Sequence, residues 1–430
     1  MNGALPAIVR PSNEPQQTGE TTLDHRSLAA VEAAINRFID WLSSFGTSSY
    51  DHQSYFAGPI GGRAKALYYR RRWLGTLAVA PMILSEAFLP AARRLFGGKL
   101  RFPIADAHYA MGFARLAAIT NEARHYDRAV EFLEALVSSR CPGWKHYCWG
   151  YPFDWVTRTG VMRKDTPLIT TTPYVYEAFE AVYQLDGQQR WLDILQSIAE
   201  HAYRDIKDRE VSSHSAAAGY NPFDENGVVI NASAYRAFLL AAAARRFGRD
   251  DYRYTAERNL NFVLEQQRDD GSWFYAADGV RDFVDHFHTC FVLKALAKIE
   301  SLTGHEGCSR AIENGVDFYA RELFDELGLP KPFARAPRLT VYRRELYDYA
   351  ECLNLGVLLR GRFPLLDERV TTTLEDLLTH WRKPDGSFRS RKLLVGWDNV
   401  PMHRWAQSQV FRSLCHLLPA PPGATAASVG

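Results

Sequence analysis

Between Gln267 and Cys290 the chain runs through Arg268, Asp269, Asp270, Gly271, Ser272 and Trp273, then Asp282, Asp285, His286, His288 and Thr289. Asp-Gly-Ser reads as a turn, because glycine accepts a positive φ and the short polar neighbours favour turns. From about Val284 the pattern becomes helical. Phe287, Cys290, Phe291, Val292, Leu293, Ala295, Leu296 and Ile299 are apolar nearly all round, as a helix buried on most sides requires, and the polar residues fall in its first turn. Asp285 and His288 are three apart, so they share a face at the end where the free N–H groups and the positive end of the helix dipole point. A carboxylate beside an imidazole is equipped to move a proton. The plainer reading is a satisfied pair within the core.

Four clusters of rings and carboxylates accompany this pair. Trp144, Tyr147, Trp149, Tyr151, Phe153, Asp154 and Trp155 form the first; Tyr220, Asn221, Phe223 and Asp224 the second; Trp273, Phe274 and Tyr275 the third; Trp397, Asp398 and Asn399 the fourth. Flat apolar rings suit sugar C–H faces, and interleaved carboxylates and amides accept hydroxyl hydrogen bonds. Packing of loops onto a rim accounts for some of these rings. Arg335, Arg338, Arg343, Arg344, Arg389, Arg391 and Lys392 would suit an acidic polymer, or form a solvated basic surface.

The elements that must position these groups are helices in pairs. Helices are expected over 28–44 and over 63–96, the second interrupted at Pro81. Then 105–119 pairs with 123–139, 173–184 with 190–205, 230–247 with 252–267, 284–302 with 308–324, and 347–360 with 367–381. A last helix over 403–417 has no partner after it, and an N-terminal helix is available to close a ring. Connections within pairs are short and those between pairs are long: 140–172, 208–229, 268–283, 325–346 and 382–402. This alternation puts every long loop on one face. Short hairpins within those loops are compatible with the pattern. The expectation is an all-α fold, one domain over 23–417, with disordered tails at 1–22 and 418–430.

With 430 residues, 47% hydrophobic and 13% aromatic, the chain can bury a large core, and its net charge of +2 exerts no bulk pull toward nucleic acid or anionic membrane. No apolar run reaches membrane-spanning length, and Met1–Thr22 lacks an apolar core of the signal-peptide kind. The expectation is a cytoplasmic protein without membrane insertion. Six cysteines without a Cys-x-x-Cys argue against a disulfide scaffold or zinc ribbon.

Two helices per unit of about fifty to sixty residues, from Ala105 to Leu417, resembles the α/α toroids: the six-hairpin glycosidase-like barrels and the terpenoid cyclase and protein prenyltransferase toroids. Gln267–Trp273 is similar to the Gln/Trp repeat of triterpene cyclases, with Asp385–Phe388 as a degenerate second copy. In that family the repeats tie outer helices together. Arg281, Asp282, Phe283, then His288, Thr289, Cys290 and Phe291 are similar to the zinc-histidine segment of prenyltransferase β subunits, but the spacing differs and the preceding Asp-x-Cys is missing. No metal or cofactor is assigned. The resemblance implies an (α/α)6 barrel whose inner helices begin at a mouth formed by the long loops. It selects the first turns carrying Asp106, His108 and Tyr109; Thr172, Tyr174 and Tyr176; Asn231 and Tyr235; Asp285 and His288; Tyr347, Asp348 and Glu351; and His403, Arg404 and Gln407. Each polar start taken singly is an ordinary cap. Six converging on one mouth make a site.

Three classes stay open. The first is a carbohydrate-active enzyme of exopolysaccharide or capsule synthesis or modification. A lyase or C5-epimerase acting on a uronate needs a group to neutralise the carboxylate and a tyrosine or histidine to remove a proton, roles open to Tyr347, His288, His403, Asn399 and Arg404. A hydrolase needs two flanking carboxylates, about 5 Å apart for retention and wider for inversion, with Asp285, Asp348, Glu351 and Asp398 as candidates. The second class is an isoprenoid toroid. The third is a glycan-binding or scaffold protein of a polysaccharide-synthesis complex. Trp149, Tyr151, Asp154, Trp155, Tyr176, Asn231, Tyr235, Trp273, Trp397, Asp398, Asn399 and Arg404 are the expected sugar contacts.

Overall fold

The computed structural model describes residues 24–158, 160–337 and 339–419. The expected tail at 1–22, all of the second tail beyond Pro419, and Arg338 lie outside them.

Helix α1 (His25–Phe45) is followed by a short α2 (Ser54–Ala57), α3 (Pro59–Arg70), α4 (Arg72–Phe88) and a 3-10 turn over Pro90–Leu95. Five hairpins follow: α5 (Pro103–Thr120) with α6 (Ala123–Ser138), α7 (Thr172–Asp186) with α8 (Gln189–Arg204), α9 (Ile230–Phe247) with α10 (Asp250–Glu265), α11 (His286–Thr303) with α12 (Glu306–Glu322), and α13 (Leu346–Leu358) with α14 (Pro364–Asp376). The chain ends on α15 (Ser408–Leu417). Helices α5, α7, α9, α11, α13 and α15 pack side by side, and α15 returns to α5, so they close an inner ring. Their partners form the outer ring, where α1 lies against α15 as the sixth member. Periodicity explains the division. Outer α8 buries Trp191, Ile194, Leu195, Ile198 and Ala202 along one stripe, whereas inner α11 buries residues on nearly every side. Each fully buried Leu, Ile or Phe contributes about 1.5–3 kcal/mol. Phe38 of α1 locks the ring shut, its ring stacked on Phe411 at 5.3 Å and close to Tyr109 and Phe388.

Short turns lie on one face. Four of them stop the inner helix on a left-handed residue, Asn121, Gly187, Gly248 or Gly304, whose N–H closes on a carbonyl of the last turn. Long loops lie on the other face and carry the strands. β1 (Trp155–Val156) pairs with β2 (Val161–Met162), and β3 (Asp208–Glu210) with β4 (Ala216–Ala218). β5 (Val284–Asp285) pairs with β6 (Phe333–Arg335), and β7 (Tyr342–Glu345), β8 (Arg391–Leu393) and β9 (Trp397–Asp398) form one sheet. The last two sheets join successive loops into a rim.

The two Asp-Gly-Ser turns are true copies. Asp270 Oδ1 accepts from the N–H and hydroxyl of Ser272, as Asp385 Oδ1 does from Ser387, at the same 3.0 and 2.7 Å. Gly271 (φ +86°) and Gly386 (φ +94°) both need the left-handed region, and a Cβ on either would stand 2.3 Å from a carbonyl oxygen, of Asn314 in α12 or Arg37 in α1. Each turn therefore nests against the next outer helix. Gln267 Nε2 donates to the carbonyl oxygens of Gly271 and Ala311, and Trp273 Nε1 to that of Val263, so this segment ties α10 to α12.

Two helix expectations change. The segment over 63–96 is broken at Arg71 rather than at Pro81. Gly75 lets α4 fold back so closely on α3 that a Cβ would meet Tyr68 Cα at 2.0 Å. Pro81 stays within α4, where it and Leu77, whose carbonyl loses its partner, are both exposed. The last helix starts with a wide turn over His403–Gln407, kinked at Trp405 (φ −124°, ψ 24°), before α15 begins.

Candidate functional site: a histidine–carboxylate pair at the barrel mouth

Asp285 ends β5 in an extended conformation and caps α11. Its Oδ1 accepts the His288 backbone N–H at 2.9 Å, and its Oδ2 lies 2.6 Å from His288 Nδ1. A carboxylate acceptor places the proton on Nδ1 and leaves Nε2 as the basic nitrogen. Thr289 Oγ donates to the Asp285 carbonyl oxygen at 2.7 Å and fixes the cap. Rings of Tyr275, Phe287 and Phe291 stand 4.6, 4.5 and 5.4 Å from the imidazole. The His288 side chain keeps 23% of its surface exposed, against 2% for Asp285. Ile230, Asn231, Trp273, Phe274, Tyr275 and Phe283 complete the recess around the pair. Asn231 Oδ1 is buried there and has no hydrogen-bond partner among the described residues.

Tyr347 belongs to the same aromatic wall, 5.1 Å from Phe287 and stacked on Trp405, and burial holds its phenol protonated far above the usual range. Tyr235 adjoins Phe291 and shares a 2.7 Å hydroxyl contact with Tyr174. Asp348 is 1% exposed, and neither carboxylate oxygen has a hydrogen-bond partner among the described residues. Burial first, then the charges of Glu345 and Asp285, push its carboxyl well above the usual carboxylate range. Glu351 is deeper, ion-paired with Lys294 at 2.5 Å inside the ring.

Other expected site residues are placed elsewhere. His403 is fully buried, with Nδ1 2.6 Å from the Tyr109 hydroxyl and Nε2 3.0 Å from the Gly46 carbonyl oxygen, so both ring nitrogens are engaged and the ring pins the end of α1 to the inner ring. Arg404 is 1% exposed and makes a fork to Asp51. The indole N–H groups of Trp149 and Trp273 donate to the Leu136 and Val263 carbonyl oxygens. Tyr176 lies beside Glu180 and Arg246, toward the outer ring. Asp398 is buried against Arg93; Trp397 packs on Trp381 under Arg389 and Lys392; Asn399 is exposed. Asp154 accepts from Arg163 and the Lys164 N–H, and Tyr151 and Trp155 meet edge-on at 5.5 Å on the first loop.

Phe283 and Arg281 join the site without having been expected there. Tyr275 N–H donates to the Phe283 carbonyl oxygen at 3.0 Å, which folds 275–283 into a hairpin around Asp278-Gly279. That Asp-Gly pair is the signal in the sequence. Arg281, anchored to Asp278 at 2.7 Å, lies over the Tyr275 ring at 5.3 Å on the rim.

The buried histidines make acid stability testable. Burial lowers His286 and His403 to about 3, and lowers His52, His108 and His416 as well. These rings charge more readily unfolded, so their contribution is intact above the unfolded value of about 6.5 and is lost as pH falls toward 3. Asp106, raised to about 7 by burial, has the opposite sign, as do Asp348 and Glu86. The five histidines outnumber them. The urea midpoint is expected to fall between pH 7 and pH 5; an unchanged or rising midpoint contradicts this balance.

No protein-family model matches the chain, and no curated protein does. Solved structures do. An unsaturated glucuronyl hydrolase specific for heparin superposes with a TM-score of 0.59 at 11% identity, covering 91% of this chain and 96% of the other. Cellobiose 2-epimerase from Bacillus thermoamylovorans B4167 gives 0.57 at 9% identity, over 74% and 87%. An α-1,6-mannanase from Salegentibacter sp. HEL1_6 gives 0.54 at 13% identity, over 75% and 89%. With five hairpins and the α1–α15 pair closing a double ring, and with these neighbours, the chain has the (α/α)6 toroid fold.

Proposed function

We propose that this toroid is a carbohydrate-active enzyme of the epimerase or lyase type, acting on a uronate-containing glycan, with His288 as the proton-transfer group. One observation carries this reading. Asp285, Asp348, Glu351 and Asp398 are 3%, 1%, 0% and 0% exposed, so none is free to flank a glycosidic bond, whereas the His288 ring opens to the mouth. Asp285 fixes the tautomer, and Nε2 removes the proton next to the sugar carboxylate. Arg281 neutralises that carboxylate as negative charge moves onto it, Asn231 bonds a hydroxyl, and Tyr275 and Phe283 supply ring faces. Loss of the substituent at the neighbouring carbon completes a lyase reaction. Return of a proton from water to the opposite face completes an epimerase reaction. A role in making or editing the cell's own polysaccharide in the cytoplasm, within a synthesis complex, belongs to the same proposal. The six buried free thiols suit a reducing compartment.

Proton NMR of uronate-containing and neutral oligosaccharides in deuterated water tests the reading. Deuterium entering a sugar C–H, or a new unsaturated end, supports it; a new reducing end with no deuterium uptake favours hydrolysis. Line broadening without chemistry makes the protein a binding module. Arg281→Gln is expected to lower kcat/KM on uronates about tenfold to a hundredfold, the worth of a charge-assisted hydrogen bond, with neutral sugars unaffected.

A further inference from the structure

The connection from α1 to α5 contains the α3–α4 hairpin, and its two faces differ. The inner face is anchored to the rim. Tyr55 and Ser85 hydroxyls meet at 3.0 Å, Arg93 Nε donates to Glu86 at 2.9 Å and also pairs with Asp398 of β9, and Arg391 of β8 reaches Glu86 at 2.9 Å. The outer face is apolar. Trp73, Leu77, Leu84 and Phe88 stand at i, i+4, i+11 and i+15, which places them on one stripe of α4. They are 70%, 61%, 57% and 57% exposed, and Leu89 and Leu95 extend the patch at 67% and 84%. A stripe of this size is far beyond scattered surface leucines and marks a contact surface.

Charge selects the partner. Residues 59–99 hold eight of the chain's basic residues and one acidic residue, Glu86, which is buried in the ion pairs above. Arg70, Arg71 and Arg72 at the hairpin tip, with Arg94 and Lys99, are exposed beside the apolar stripe. The net charge of +2 for the whole chain conceals this local excess. A two-fold interface between copies would bring these cations together. An anionic lipid surface takes the rings and leucines into its interface and the arginines at its headgroups. Among the described residues no helix is long and apolar enough to cross a membrane, so the hairpin would lie on the surface.

We propose that the α3–α4 hairpin docks the toroid on an anionic lipid bilayer. Because the hairpin is fixed to the rim, docking holds the barrel mouth at the membrane surface. This inference is independent of the chemistry performed at that mouth.

Flotation of the full chain with vesicles tests it. Binding to phosphatidylcholine mixed with phosphatidylglycerol is expected to exceed binding to phosphatidylcholine alone at least tenfold and to weaken with salt. The triple variant Arg70→Ala, Arg71→Ala, Arg72→Ala and the double variant Leu77→Asp, Leu84→Asp should each lose at least tenfold in binding, with thermal melts like the parent because every changed side chain is exposed. Failure to float with anionic vesicles overturns the proposal, as does equal binding to neutral ones. So does a dimer in light scattering that the Leu77→Asp, Leu84→Asp variant dissociates without any vesicle binding by the parent.

Discussion

Replacing His288 with asparagine is expected to lower kcat on the substrate found by NMR by about two to four orders of magnitude, the usual contribution of a positioned acid–base group, while leaving the unfolding midpoint close to that of the parent. The choice of residue matters. His288→Ala would strip Asp285 Oδ2 of its 2.6 Å partner and leave a buried carboxylate oxygen unsatisfied, costing about 1–3 kcal/mol in its own right. Asparagine can return an N–H donor to that oxygen but has no basic nitrogen. Asp285→Asn is the complementary test. Asparagine still caps α11 but no longer enforces the Nδ1–H tautomer, so activity should fall while the helix stays capped. A core pair without catalytic work predicts the reverse, with loss of stability and loss of activity moving together. An H288N enzyme retaining more than about a tenth of parental turnover would falsify the assignment of His288 as the base.

The Asp285–His288 pair was legible because it is local. Three residues in one helical turn fix the contact, and the cap geometry follows from the residue types. The double ring was legible for a similar reason, since alternating short and long connections report which helix ends share a face without any knowledge of side-chain contacts. The paired Asp-Gly-Ser turns belong to this class as well, with each aspartate bonding two residues on. His403 and Arg404 were opaque because their partners, Tyr109 and Gly46 for one and Asp51 for the other, lie nearly three hundred residues away or more. A polar residue at an inner-helix start has two destinations, the mouth or the wall between helices, and spacing alone does not separate them. The tryptophans show the same ambiguity. A loop indole that binds sugar and one that donates to a helix carbonyl, as Trp149 does, have the same sequence context.

The Asp51–Arg404 pair gives the largest expected effect on stability, and it separates the structural from the binding role of Arg404. Both residues are 1% exposed, with Nε to Oδ2 at 2.9 Å and the second fork arm at 2.6 Å. Burial by itself would raise the Asp51 carboxyl, but the Arg404 charge and its hydrogen bonds hold it well below the usual carboxylate range. The guanidinium lies over Trp405, Tyr151 and Phe102 at 4.4, 4.8 and 5.0 Å, so little water is at hand to replace a lost counter-charge. Asp51→Ala is therefore expected to cost about 3–5 kcal/mol in urea unfolding, mostly as the penalty for an unpaired buried cation. Arg404→Met in the same background removes that cation while keeping side-chain bulk, and should recover much of the loss, giving a strongly non-additive cycle. If Arg404 instead held the substrate, Arg404→Met alone would raise KM with stability intact, and adding it to Asp51→Ala would restore nothing. The two outcomes differ in which observable moves. A stability loss confined to the single variants and relieved in the double one makes this pair the clamp that joins the loop after α1 to the kinked start of the last inner helix, and so the element that keeps the ring closed beneath the mouth.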